Sequence, residues 1–214
     1  MNEEISIINS STRNEKIKNF FINNKKKLIL IAITTILIVF SFFSYQIYQD
    51  SHKEWLANKY NTAVIEFQKD DKSKVVISMK EIIEDKDRTY SPLALYFIID
   101  NNIVNSNDEI NQLFDEVLNI NKLDKEIKNL VIYKKGLFNS EFENENNLIK
   151  ILNPILNSNS IWKSHALFLM GEYFLDKNEK QKAKEFFEKI LILENTNSRI
   201  KLETQKIIQR DLSE

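Results

Sequence analysis

Cysteine is absent from the chain. With no thiol there is no disulfide framework, no thiolate nucleophile and no cysteine-ligated zinc. Glycine and proline occur twice each in 214 residues. Two glycines cannot furnish a phosphate-cradling loop, and neither GxGxxG nor GxxxxGK(S/T) occurs. The two histidines, His52 and His165, lie far apart in the sequence with no partner histidine near either. A histidine zinc site or a Ser-His-Asp arrangement therefore has little to build on. Carboxylates cluster at Glu141, Glu143 and Glu145 and at Glu84, Asp85 and Asp87. Both clusters fall where turns between helices are expected, and charge there serves to solvate a turn. The sequence assigns no catalytic residue, no metal ligand and no cofactor, so an enzyme is not expected.

Charge is missing from one stretch only. Residues 28–48, LILIAITTILIVFSFFSYQIY, hold no charge, glycine or proline over 21 positions. At about 1.5 Å of rise per residue such a helix spans roughly 31 Å, the thickness of a bilayer's hydrocarbon core. Thr34, Thr35, Ser41 and Ser44 make no polar stripe of the kind that marks a core helix. Residues 1–27 carry six basic and three acidic side chains, and residues 49–214 carry 24 and 28. The basic flank resists translocation, so the N-terminus is expected in the cytoplasm and residues 49–214 outside it. The apolar core exceeds the 7–15 residues of a cleaved signal, and no small-x-small site follows Phe43, so an uncleaved anchor is expected. Tyr45 and Tyr48 sit where aromatic side chains favour the outer interface. The net-acidic main region argues against nucleic acid as partner. The abundance of Ile, Asn and Lys points to an AT-rich bacterial genome.

Residues 1–12 receive no structural assignment, residues 14–24 read as a short interfacial helix, and residues 49–67 continue the span's helix outward. The span thus leads into the next region through Trp55, Ala57 and Tyr60, which would hold that region close to the bilayer. Beyond it the chain repeats. Val75, Met79, Ile82 and Ile83 recur as Ile110, Phe114, Val117 and Leu118, as Leu148, Leu152, Ile155 and Leu156, and as Ala183, Phe187, Ile190 and Leu191. Twelve residues before each set stand Ala63, Ile98, Gly136 and Gly171. A period near 34 residues with a small residue in the first helix and A-x-x-x-F in the second is the tetratricopeptide (TPR) pattern. The last copy is the plainest: Met170-Gly171, Phe174, Ala183 and Phe187 take the packing positions, and residues 176–179 form the polar turn. Gly171 and Ala183 leave room for two helix backbones to approach, Phe187 fills the gap beside them, and Gly136 is the corresponding packing residue of the preceding copy. Ile190 and Asn195 replace the small residue and the proline usual there.

The predicted fold is therefore all-α: a transmembrane helix, then a TPR-like solenoid of about four helix-turn-helix repeats. The domains run 1–27 (basic tail), 28–48 (span) and 49–214 (exported), with repeats near 56–90, 91–128, 129–163 and 164–197. Residues 198–214 form a cap, with Ile200, Ile207, Ile208 and Leu212 on its apolar side. Ser91-Pro92 predicts a helix start, Ser106-x-x-Glu109 a capping box, and Ser160 a cap for the helix carrying Trp162. Pro154 predicts a kink or break.

In such repeats the first helices line an inner face. Here that face is Tyr60, Val64, Phe67, Leu95, Ile99, Tyr133, Leu137, Phe168 and Leu175, an apolar set. It is either a groove for an amphipathic helix or unfolded apolar segment, or core buried by a tightly curved solenoid.

The segments KNFFINNKKKL (18–28), Ala57-Asn-Lys-Tyr60 with Ala63, Tyr90-Ser-Pro-Leu-Ala94 and HALFLMGEYFLDKNEKQKAKEFFEKIL (165–191) resemble the ancillary SecYEG translocon subunit family (YfgM-like proteins). The resemblance covers nearly the whole layout. It implies a bacterial inner-membrane protein with one span, a cytoplasmic tail and a periplasmic TPR-like domain. By the same resemblance, its partners are Sec translocon subunits and periplasmic chaperones that receive emerging chains. A different class, a structural stalk such as an ATP synthase b-type subunit, shares the tail and span. It would show long heptads instead of aromatics at a 35-residue rhythm.

Overall fold

The computed structural model describes residues 2–69, 72–194 and 196–212, with side chains from residue 13 onward. The described residues form nine helices and no strand. They divide into two compact units, Met1–Trp55 and Leu56–Glu214.

The first unit is helical through its described residues, as part of α1 (Asn2–Gln68). No glycine or proline occurs in these residues to stop it. Residues 2–12, given no structure from sequence, and residues 14–24 belong to the same helix. By length and composition α1 can cross a membrane, and its most apolar window has no buried residue. Two hydroxyls of the apolar run are satisfied within the helix: Thr34 and Thr35 donate to the Leu30 and Ile31 carbonyls at 2.9 Å. Past the apolar run, the rings of Tyr48, His52 and Trp55 stack along one side of the helix at 6.3 and 5.7 Å.

The second unit takes the end of α1 and adds α2 (Lys72–Glu84), α3 (Tyr90–Asp100), α4 (Asn107–Leu118), α5 (Lys125–Asn139), α6 (Glu145–Leu156), α7 (Lys163–Asp176), α8 (Lys180–Leu191) and α9 (Ser198–Asp211). From α2 on, each helix packs on the next, and contacts also join α2 to α4, α5 to α7 and α7 to α9. The even-numbered helices alternate apolar and charged positions at the helical period, which gives each one a core stripe. Val75, Met79 and Ile82, then Ile110, Phe114 and Val117, then Leu148, Leu152 and Ile155, then Ala183, Phe187 and Ile190 are all buried. Ile83 is buried as well, whereas its counterparts Leu118, Leu156 and Leu191 are half-buried. Two core clusters result. One runs from Leu56 to Val131 and the other from Ile132 to Leu212, and Leu118 packs against both.

Both glycines lie inside helices. A Cβ at Gly136 would stand 2.9 Å from Leu152 Cγ, and one at Gly171 would stand 2.5 Å from Phe187 Cε1. Each is a place where helices approach too closely for a side chain. The turns that favour glycine go instead to Lys86, Asn102, Lys122 and Asn178, whose φ angles lie between 51° and 61°.

Ion pairs cross the helix joins: Lys59–Glu81 at 2.7 Å, Lys80–Glu109, Lys134–Asp100 at 3.1 Å, Lys135–Asp115 at 2.6 Å and Lys182–Glu145 at 2.7 Å. Asn111 and Asn139 exchange amide hydrogen bonds of 3.0 and 2.9 Å between α4 and α5.

The helix ends follow the sequence signals unevenly. Ser106 Oγ accepts from the Glu109 N–H at 3.3 Å, while the Glu109 carboxylate goes to Lys80. Ser91 does not open α3. Asp87 Oδ1 accepts from the N–H groups of Thr89 and Tyr90, so the helix starts earlier and Pro92 falls in its first turn. Ser91 is buried, and its hydroxyl donates to the Ile82 carbonyl at 2.7 Å. Ser160 accepts from the Trp162 N–H at 3.1 Å, but Trp162 precedes α7 and is not carried by it. Pro154 does not break α6. It sits in the last turn, so the bond to the Lys150 carbonyl is lost with only two helical residues left to disturb, and the end is closed by the Asn157 N–H on the Asn153 carbonyl. In α9, Ile207 and the following Leu212 are buried, with Ile200 and Ile208 packed at the edge of the second cluster. Asn195 lies outside the described residues.

Candidate functional site

The nine inner-face residues come from α1, α3, α5 and α7, and the structure does not place them alike. Leu95 is fully buried and belongs to the first core cluster. Tyr60, Val64, Phe67 and Ile99 are partly buried and pack against that cluster. Tyr133, Phe168 and Leu175 pack in the same way against the second. Leu137 alone is exposed, at 47%. The set is thus shared between two clusters, with most members showing one edge to solvent.

Aromatic contacts hold these edges in place. Phe97 receives Phe67 at 5.2 Å and Tyr60 at 6.3 Å, both edge-on, and Tyr60 also meets Tyr90 at 6.2 Å. Tyr133 stacks on Trp162 at 5.8 Å, and His165 closes the group at 5.7 Å from Tyr133 and 5.0 Å from Trp162. Phe168 meets Phe187 edge-on at 5.5 Å. Such pairs favour edge-to-face and offset stacking because the ring face is negative and its rim positive.

Two polar groups lie beside these aromatics, and neither was read from the sequence. On α3 and α5, Lys134 bonds to Asp100 and sits over the Tyr96 ring at 4.9 Å. The Tyr96 hydroxyl is buried without a hydrogen-bond partner among the described residues. Burial, with the Asp100 carboxylate adding to it, raises both the Tyr96 and Tyr60 phenols above their ordinary values. On α5 and α7, burial raises the Tyr133 phenol, and the Glu172 carboxylate adds to the effect. Glu172 is itself raised by burial and by Glu203. Burial lowers the His165 imidazole, against an opposing interaction with the Ile161 backbone. The phenols are therefore neutral at neutral pH and His165 is uncharged there. The pairs Asp100–Lys134 and Tyr96–Lys134 join residues more than 30 positions apart, which no local pattern reveals.

Chemically the face offers aromatic edges, neutral hydroxyls and few charges. That combination suits contact with another polypeptide. Among the described residues no group of three or more His, Asp or Glu side chains is placed to hold a metal ion. Gly136, Gly171, Ala183 and Phe187 are buried behind the face, where they set the spacing of α5 with α6 and of α7 with α8. No protein-family model, curated protein or solved structure matches the chain.

Proposed function

We propose that the protein is a membrane-anchored, non-enzymatic scaffold whose TPR-like repeats bind other proteins. In this reading α1 crosses the inner membrane through residues 28–48, with the N-terminus cytoplasmic and residues 49–214 periplasmic. The protein acts as an ancillary subunit of the Sec translocon, together with periplasmic chaperones or emerging chains.

One observation carries the repeat reading. Ala63, Ile98, Gly136 and Gly171 each precede by 16 residues a buried side chain, namely Met79, Phe114, Leu152 and Phe187, and all eight are buried. At the two glycines the paired side chain is the one a Cβ would strike. The same spacing of buried residues recurs in all four copies, and in the last two it is a first-helix to second-helix contact, which supports a reading of stacked helix pairs. Contacts between alternate helices are what such stacking produces. The stalk reading is less favoured, because past Gln68 the helices run only 11–15 residues. The translocon assignment rests on the family resemblance of residues 18–28, 57–63, 90–94 and 165–191. The orientation rests on the basic residues before the span.

Protease added to the periplasmic side of spheroplasts tests the orientation: cleavage should fall in residues 49–214 and spare residues 1–27. Tyr133→Glu with Phe168→Glu tests the face. Loss of partner binding with helicity and unfolding transition retained is expected. Unfolding of the domain by the double substitution overturns the groove reading and makes these residues core.

A further inference from the structure

A second surface lies away from the inner face, where the ends of α6 and α8 meet the start of α7. A cleft of about 410 Å³ opens there, floored by Leu156, Leu167, Phe186 and Leu193. An adjoining cavity of about 350 Å³ shares Lys163, Ile192 and Leu193 with it and reaches Ser160, Ser164 and Glu194. These volumes suit one or two large side chains with room for backbone. Ile192 stands at the mouth with 81% of its surface exposed. An isoleucine so exposed beside an apolar floor gains free energy only when something covers it.

Charge identifies the occupant. Lys163 and Lys189 line the cleft, and the Lys189 ammonium sits 4.7 Å from the centre of the Phe186 ring. Neither makes an ion pair among the described residues. By contrast Lys59, Lys80, Lys134, Lys135 and Lys182 each hold a carboxylate across a helix join. Lys163 also begins α7, whose first N–H groups add positive potential to the same edge. The cleft itself has no acidic lining residue; Glu194 lines the adjoining cavity only, where Ser160 also donates to the Glu126 carboxylate at 2.6 Å. Two lysines without a carboxylate partner among the described residues thus line a largely apolar cleft in a region whose net charge is negative.

We infer that this cleft binds an acidic amphipathic segment of another protein. An apolar side chain of the segment enters between Leu156, Leu167 and Phe186, and flanking carboxylates pair with Lys163 and Lys189. The surface shares no residue with the inner face, so each succeeds or fails on its own.

The test uses the full chain in lipid nanodiscs and a fluorescein-labelled helical peptide with leucines at i and i+4 and glutamates on both flanks. Versions with glutamine or lysine in place of glutamate serve as comparisons, and anisotropy is the readout. The glutamate peptide should bind and the glutamine peptide should bind at least severalfold more weakly. Lys163→Glu with Lys189→Glu should cost the glutamate peptide about tenfold or more and gain affinity for the lysine peptide. Lys189 is exposed and Lys163 half-buried, and Ile192→Ser, a change at a mostly exposed site, should weaken binding without touching the fold. Absence of binding, equal binding of the glutamate and glutamine peptides, or no exchange of preference on charge reversal overturns the inference. Self-association of the parent chain that the same reversals abolish, without peptide binding, assigns the cleft to a second copy and overturns it as well.

Discussion

Gly171→Ala isolates the contact on which the last helix pair depends. The added methyl would meet three Phe187 ring carbons at 2.5, 2.6 and 2.8 Å, against roughly 3.5–4.0 Å for comfortable carbon contact. Phe187 is fully buried and already holds Phe168 edge-on at 5.5 Å. A flat ring has no flexible end to yield, so α7 and α8 must part by several tenths of an ångström or more. Overpacking of this kind costs about 1–3 kcal/mol. Alanine returns about 0.8–1.0 kcal/mol of helix propensity. The net expectation is a loss of up to about 2 kcal/mol, or a fall in Tm of up to about 6 °C for a unit of this size. Gly136→Ala is the comparison, because its neighbour is the branched end of a buried leucine, Leu152, which yields more readily than a ring; its loss should be smaller than that of Gly171→Ala. Adding Phe187→Leu to Gly171→Ala should recover part of the loss, with a coupling of about 1 kcal/mol. The assay is thermal unfolding followed by Trp162 fluorescence in a Trp55→Phe background, so that the signal arises beside Tyr133. Gly171→Ala at or above parental stability, or strict additivity in the double variant, refutes the close-approach argument.

Tyr96→Phe should stabilise the second unit by about 1 kcal/mol, because it removes a buried hydroxyl without a partner; urea unfolding measures this. Lys122→Gly should also raise stability, by up to about 1 kcal/mol, because glycine occupies φ near 58° without the Cβ penalty; the same unfolding series tests it. For His165 the folded pKa lies below the unfolded value of 6.5. The unfolded chain therefore takes up a proton first, and stability falls as pH drops below about 6.5 until the folded value is passed. In His165→Gln that part of the decline should vanish from Tm measured between pH 7.5 and 5.5. Glu172 has the opposite sign: its pKa is raised by burial and Glu203, so Glu172→Gln should raise Tm slightly at pH 7.5 and not at pH 4.

The helical class and the apolar span could be read directly, since both depend on local periodicity and on the scarcity of breakers. The buried stripes of α2, α4, α6 and α8 were equally plain, because each alternates apolar and charged residues at the helical period. The first helices were less so. In α3 nearly every position is apolar, so spacing alone could not tell Leu95, which is core, from Ile99, which is partly open. On α5 the same spacing rule selected Leu137, which is exposed, beside Tyr133, which is packed on Trp162. Capping failed where two candidates competed. Asp87 supplies the acceptor that Ser91 was expected to supply, which frees Ser91 to bond to α2. The Asp100–Lys134–Tyr96 group and the cleft between α6, α7 and α8 depend on the stacking of distant helices, and nothing local encodes them.

Photocrosslinking in native membranes tests the scaffold claim most directly. A photoreactive amino acid replaces Tyr60 or Phe168, each partly buried at the inner face, and a third variant carries it at the fully buried Leu95. The account predicts that Tyr60 and Phe168 repeatedly capture translocon subunits or periplasmic chaperones and that Leu95 yields only products within the chain. Capture of ATP synthase subunits, or of lipid alone, would contradict it.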